Sequence, residues 1–356
     1  MTVAKDVIDL YCRAAQEYAA SDLILHEGNA PVLRVSGSIT PLDAPRLTSE
    51  DFAVFRKACG VTTLSQDHDA RFISSDGVRF RVNFHQHLGG QGAVLRRINS
   101  TPPAIDSLGV PVDRLCEIMK RRSGMFIVSG STGSGKSTTL ASLLDWVNHH
   151  LERHIVTIED PVEFIFERDR SLFTQRAVGM DTDSFAEGLR RSLRQAPDII
   201  MVGEIRDAET AGVALRAAQT GHLVLASLHT HDAPGVLYRI VDNFPGDEQE
   251  QILGQLANTL CAILAQRLVP TEDGSNRVMA TELLINSSAV SSCIRDRRFE
   301  QIVGLMEIGR KDGMHTLDDS LEELYLSNRI SKEEAMAGAR NPERIEGLRR
   351  IPKPVF

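Results

Sequence analysis

The sequence predicts an α/β domain with a parallel sheet, preceded by a smaller α+β domain, on three observations. From Asp106 onward, short apolar runs alternate with helical segments, the pattern that builds a parallel sheet. One of these runs, Met125–Ser129, leads into the stretch GSTGSGKS, Gly130–Ser137, and Thr138–Val147 then reads as a helix. The first hundred residues have a different texture, with period-two strand candidates punctuated by glycine turns.

In the first domain, Val7, Ile8, Tyr11, Ala14, Ala15 and Tyr18 recur at helical spacing. Asp22–His26 and Pro31–Val35 are strand candidates, with turns at Gly28-Asn29 and Gly37-Ser38. Ser49–Ala58 reads as a helix. Arg71-Phe-Ile leads to the hairpin signal Asp76-Gly77. Beyond it Val78–Phe84 alternates, with Arg79 and Arg81 sharing the face opposite the apolar residues. Gly89-Gly90 breaks the chain before Gly92–Ile98. Two prolines in Ser100-Thr-Pro-Pro103 disfavour any continuing strand and set a stiff boundary. The expected division is 1–100, a linker at 101–105, and 106–356. In the second domain, strands are expected at Phe126–Val128, His154–Ile158, Ile199–Val202 and Leu223–Ser227. After Pro245 the chain reads as mainly helical, at Gln249–Ala265, Ser287–Arg295 and Thr316–Ser327.

Bulk properties narrow the function. The 356 residues have room for two or three domains, and 42% hydrophobic residues suffice for a core. A net charge of -8 argues against a dedicated nucleic-acid binder. Cys12, Cys59, Cys116, Cys261 and Cys293 form no CxxC pair, so neither a zinc ribbon nor a disulfide framework is expected. The N-terminus is too charged for a signal peptide, and no apolar run is long enough to span a bilayer. The expected location is the cytoplasm, with any membrane association made through a partner.

Gly130–Ser137 carries the chemistry. Gly130, Gly133 and Gly135 let backbone N–H groups turn toward phosphate oxygens, and Ser131, Thr132, Ser134 and Thr138 complete the cradle. Lys136 supplies positive charge near the β- and γ-phosphates, and Ser137 a magnesium ligand. Ile155–Ile158 ends in Glu159-Asp160-Pro161, with Glu163 soon after. Alone this is an acidic surface turn. Beside a phosphate loop, Glu159, Asp160 and Glu163 can divide magnesium binding and water activation. Asp198–Glu204 is a second strand ending in an acid, with Gly203 where many phosphate-loop proteins have aspartate, so Glu204 acts through magnesium-bound water. His222, His229 and His231 flank the next strand, and γ-phosphate sensing suits them better than zinc binding. Arg190, Arg191, Arg194 and Arg206 add charge around these strands, although single arginines usually serve as surface ion-pair partners.

Together these motifs resemble the secretion ATPase superfamily, particularly PilT-like retraction motors of type IV pili. Ala19–His26 with Gly28 and Pro31 is similar to the family's first-domain opening, and Ser131–Thr139 lies in its Walker A. Thr157–Glu163 is similar to its Asp box, and Asp198–Asp207 to its atypical Walker B. Thr220–Val224 and Leu228–Thr230 are similar to its His box, and Gly313–Asp318 continues the likeness toward the C-terminus. The resemblance implies a RecA-like P-loop NTPase domain, a PAS-like first domain and a helical C-terminal region. It implies ATP and Mg2+ as cofactors, with Glu163 activating water, Glu159 and Glu204 supporting the metal, and His222 and His229 linking the site to neighbouring elements. Arg81 and Arg96 would be arginine fingers. The implied assembly is a homohexamer at the inner membrane, acting on a pilus platform protein, with a second pilus ATPase as a further partner. The absence of a four-cysteine insertion favours the retraction branch. However, Ala289–Asp296 reads AVSSCIRD where that branch has AIRNLIRE, so Ser291 replaces the first arginine while Arg295 remains. Two alternatives stay open: an ATPase of a type II or type IV secretion system, and a regulatory nucleotide-binding subunit with weak turnover.

Overall fold

A computed structural model of the chain describes residues 3–35, 37–62, 67–98 and 101–350. Two compact units emerge: Met1–Ser100 with Glu163–Ile165, and Thr101–Val162 with Phe166–Phe356. Ser100, where the expected boundary opens, lies outside the described residues.

The first unit contains α1 (Val3–Glu17), β1 (Asp22–His26), β2 (Val32–Val35), β3 (Ser38–Pro41), α2 (Ser49–Ala58), β4 (His68–Ile73), β5 (Arg79–His87) and β6 (Gly90–Arg97). The strands form one antiparallel sheet in the order β3-β2-β1-β6-β5-β4. Strand alternation sends Leu23, Leu25, Leu33, Phe80, Val82, Phe84 and Leu95 into one core with Ile8 and Cys12 of α1 and Phe52 and Phe55 of α2. Thr48 and Asp51 cap α2 reciprocally, which fixes where that helix begins. The same alternation puts Arg71, Arg81, Arg96, Asp22 and Arg34 in one register row across the sheet.

The second unit begins with α3 (Val112–Met119), β7 (Gly124–Ser129), α4 (Lys136–His150), β8 (His154–Glu159) and β9 (Leu172–Ala177). It continues with α5 (Phe185–Ser192), β10 (Ile199–Val202), α6 (Ala208–Gln219), β11 (Leu223–Leu228), α7 (Ala233–Asp242) and α8 (Gly246–Thr259). Then follow β12 (Leu260–Pro270), β13 (Arg277–Ile285), α9 (Ser288–Arg295), α10 (Ile302–Ile308), α11 (Leu317–Leu326), α12 (Lys332–Gly338) and α13 (Pro342–Glu346). Seven strands run in the order β13-β12-β7-β11-β10-β8-β9, parallel except for β13. Separate cores fill the two faces, one holding Ile127, Ile200 and Val224, the other Phe126, Ile199 and Leu225. This is the mixed α/β arrangement expected around a phosphate loop.

The expected helix Gln249–Ala265 requires correction. Helix α8 stops at Thr259, and Leu260–Ala265 opens β12, whose neighbours are β7 and β13. A strand buried on both faces shows no alternation, so its apolar run reads as a continuation of the preceding helix. The C-terminal region is therefore not wholly helical: β12 and β13 extend the sheet before α9–α13 follow.

His315 joins the end of this region to the sheet. Its backbone bridges Leu283 of β13, and its Nε2 lies 2.9 Å from the Thr281 hydroxyl. Burial lowers its pKa, outweighing nearby carboxylates and backbone contacts. Folding thus favours the neutral ring. The stability it contributes is present above the unfolded value of about 6.5 and is lost as pH falls through the folded pKa. Thermal melts between pH 7.5 and 5 are expected to show a steeper acid loss in the wild type than in His315→Gln. Parallel curves would remove His315 as the source.

Candidate active site

Strand β7 is a buried central strand whose C-terminal end passes into Gly130. Gly130, Gly133 and Gly135 have φ of 151°, 78° and 90°, conformations that glycine adopts without a side-chain clash. At Gly130 a Cβ would also lie 2.4 Å from the Gln266 carbonyl and 2.4 Å from Ser134 Oγ. Gln266 of β12 donates from Nε2 to the Ser134 carbonyl at 2.7 Å and so braces the loop. Helix α4 begins at Lys136 with no side-chain cap, leaving its first N–H groups aimed at the loop. The Ser134 hydroxyl is buried without a hydrogen-bond partner. These features fit a triphosphate.

Lys136 is 8% exposed. Its ammonium donates to the Gly130 and Ser131 carbonyls at 2.9 and 3.0 Å and lies 3.3 Å from His229 Nδ1. The other ring nitrogen of His229 lies 3.3 Å from Glu204 Oε2. One neutral tautomer satisfies both contacts, with Nδ1 accepting and Nε2–H donating. His229 therefore bridges the loop lysine and the acid that follows β10. Glu204 also contacts the Arg206 guanidinium. Parallel pairing explains the meeting: β11 lies between β7 and β10, so the C-terminal ends of all three converge.

The other candidates separate. Glu159 ends β8 and is nearly buried, accepting from the Thr157 hydroxyl at 2.6 Å. Glu163 is exposed and groups with the first unit. His222 lies apart from the phosphate loop of its own chain, which leaves it the coupling role rather than direct contact with phosphate as the expectation to test. It precedes β11 at the N-terminal end of that central strand, about 20 Å from the loop along the strand, and its Nδ1 lies 3.1 Å from the Ala217 carbonyl. Arg190 pairs with Glu187 and Glu209, and Arg191 with Glu187, as ordinary surface arginines do. In the first unit, Arg81 pairs with Asp69 and Arg96 with Asp22, both at 2.8 Å.

Among the described residues, no group of three or more His, Cys, Asp or Glu side chains is placed to hold a metal. A magnesium ion here would need oxygens of a bound phosphate to complete its coordination, and Ser137 at the start of α4 is exposed beside the loop. Gln266 escaped sequence reasoning because its contact with Ser134 spans 132 positions and carries no local signal.

Ser291 also has a specific environment. It lies one turn into α9, capped by Ser287, and its hydroxyl donates to the Ala257 carbonyl at 2.9 Å while lying 3.0 Å from Asn286 Oδ1. It fastens α9 to α8 and does not merely decorate a surface helix. Ser291→Ala is expected to cost about 1 kcal/mol, the scale of one such hydrogen bond. Ser291→Arg should cost more, because the longer side chain must displace α8. Thermal melts of both variants test this; an unchanged midpoint for Ser291→Arg would show that the site is open.

A sequence profile described as Type II/IV secretion system protein matches residues 63–342. The "Type IV pilus retractation ATPase PilT" of Pseudomonas aeruginosa is 39% identical over 350 residues, spanning 95% of this chain and 99% of that protein. The "Type IV pilus ATPase PilU" of the same organism is 38% identical over 337 residues, spanning 92% and 87%. The solved structure titled "Crystal Structure of the Pilus Retraction Motor PilT and Bound ADP" superposes with a TM-score of 0.85 at 39% identity, covering 98% of this chain and 100% of that one.

Proposed function

The chain belongs to the type II/IV secretion system protein family, and from that premise we propose that it is a hexameric, magnesium-dependent ATPase motor driving type IV pilus retraction. The observation that carries the reading is the convergence of Lys136, His229 and Glu204 beside the Gly130–Ser137 loop, with contacts of 3.3 Å on either side of the imidazole. Near full-length likeness to a pilus retraction motor supports the mechanical role.

In this reading the Gly130–Ser137 backbone and the α4 N-terminus receive the phosphates, and Lys136 offsets their charge. Bound Mg2+ supplies electrostatic stabilisation of the developing phosphate charge. Ser137 would hold it, and Glu159 and Glu204 would orient the water around it. Glu163 accepts the proton of the attacking water. His229 senses whether Lys136 is engaged by phosphate. Arg81 and Arg96 act as arginine fingers supplied from the first domain, for which their Asp69 and Asp22 pairs must open. The PAS-like first domain and the RecA-like domain move relative to each other as ATP turns over. The working location is the cytoplasmic side of the inner membrane, on a pilus platform protein and alongside a second pilus ATPase.

A secretion role is the second reading, supported by the match of residues 63–342 to a profile described as Type II/IV secretion system protein. Two measurements test the proposal. Native mass measurement with Mg–ATP should show a hexamer, and an active monomer would reject the ring. Deleting the gene should slow or abolish pilus retraction, with restoration by the wild type and not by an ATPase-dead variant. Normal retraction in the deletion strain would overturn the motor assignment.

A further inference from the structure

Three residues beyond His229, Asp232 performs two tasks. Its Oδ1 caps α7 by accepting from the Gly235 N–H at 2.7 Å, and its Oδ2 lies 3.0 Å from Nη2 of Arg340. Arg340 reaches further: its Nη1 lies 3.1 Å from Glu282 Oε2. Glu282 is 1% exposed and accepts from the Ala233 N–H at 2.8 Å. The Arg340 backbone N–H donates to Asp318 at 2.7 Å, and that of Asn341 at 3.0 Å. Asp318 is itself buried in the first turn of α11. A continuous chain of contacts therefore runs from Lys136 through His229 and the 229–232 loop to Arg340, and from there to α11 and the end of α12.

We propose that Arg340 is a positioning residue that carries the state of the nucleotide site, through Asp232, to the C-terminal helices α11 and α12. Phosphate oxygens compete with the Gly130 and Ser131 carbonyls and with His229 for the Lys136 ammonium. A change in that competition alters the restraint on the 229–232 loop. The loop has spare bonding capacity, because the Thr230 hydroxyl is buried without a hydrogen-bond partner. It also has room: a cavity of about 400 Å³ is lined by Ser131, His231 and Asp232 together with Arg267, Gly338 and Arg340. Asp232 is both the α7 cap and the Arg340 partner, so a displaced loop either drags Arg340 or breaks its ion pair. Arg340 is anchored by its backbone to Asp318, so either outcome is felt by α11. A lysine cannot span Asp232 and Glu282 in the forked manner of arginine.

The inference rests on nucleotide binding at Gly130–Ser137. The test compares the full-length wild type with Asp232→Asn, which keeps a capping oxygen but removes the charge facing Arg340. Amide hydrogen exchange is followed with and without a Mg-bound, non-hydrolysable ATP analogue, whose affinity is measured separately by calorimetry. In the wild type the analogue should change exchange across 317–340 by about fivefold or more. In Asp232→Asn that response should vanish, while affinity stays within about threefold and the response at 130–138 persists. Arg340→Gln with Glu282→Gln, which leaves no uncompensated buried charge, should behave likewise and covers misfolding of the first variant. A wild-type response retained in either folded variant, or no response at 317–340 in the wild type, overturns the proposal. If the wild type does not bind the analogue, the nucleotide reading itself falls.

Discussion

Lys136→Ala is expected to reduce ATP turnover by at least about 10²–10³-fold, the usual consequence of deleting a preorganised charge donor from an active site, and to weaken nucleotide binding sharply. Two losses combine. The ammonium is the buried cation of the phosphate loop, so its removal leaves phosphate charge poorly compensated. It is also a strut: its bonds to the Gly130 and Ser131 carbonyls, at 2.9 and 3.0 Å, hold the loop, and its approach to His229 links that loop to the end of β11. Calorimetry measures the affinity, phosphate release the turnover, and a melting curve confirms folding. A folded variant with wild-type affinity and turnover would remove Lys136 from the site.

The part of this site legible in the sequence is the part built from neighbours along the chain. Strand β7, the glycine loop and α4 are contiguous, and each announces itself by composition: an apolar run, glycines at positive φ, then a helix. Glu204 was visible for the same reason, as the acid ending a four-residue apolar strand. Long-range pairing was not visible. The register Asp22↔Arg96 gives Arg96 its carboxylate partner across 74 positions, and no local pattern encodes it. His222 and His229 occupy one short stretch and look equivalent, yet β11 runs between them and sends them to opposite ends of that central strand. The Leu260–Ala265 run defeated periodicity because both faces of β12 are covered. Asp232 and Arg340 offer only charges in unremarkable surroundings; their meaning lies in tertiary contacts.

Glu204→Gln is expected to retain nucleotide while turnover falls by about 10²–10⁴-fold, the range for losing a catalytic acid–base or charge-stabilising group. The argument starts from position. Glu204 follows β10, next to β11 in the sheet, and only 15% of its side chain is exposed. It faces two cationic or proton-bearing partners, the Arg206 guanidinium and His229 Nε2 at 3.3 Å. Glutamine keeps the shape and one acceptor oxygen for the histidine, so the loop should survive. What it loses is the negative charge proposed to orient the water around a bound metal. Glu163→Gln is the necessary comparison, because both carboxylates are candidates for the water-activating role and Glu163 is exposed. Single-turnover measurements on the two variants separate the roles. A slow chemical step in Glu163→Gln alone would make Glu204 a structural brace for His229. A slow step in both, with ATP affinity preserved, fits Glu163 as proton acceptor and Glu204 as the organiser of the metal's water shell. Wild-type chemistry in both would move the search to Glu159, whose nearly buried carboxylate accepts the Thr157 hydroxyl at 2.6 Å.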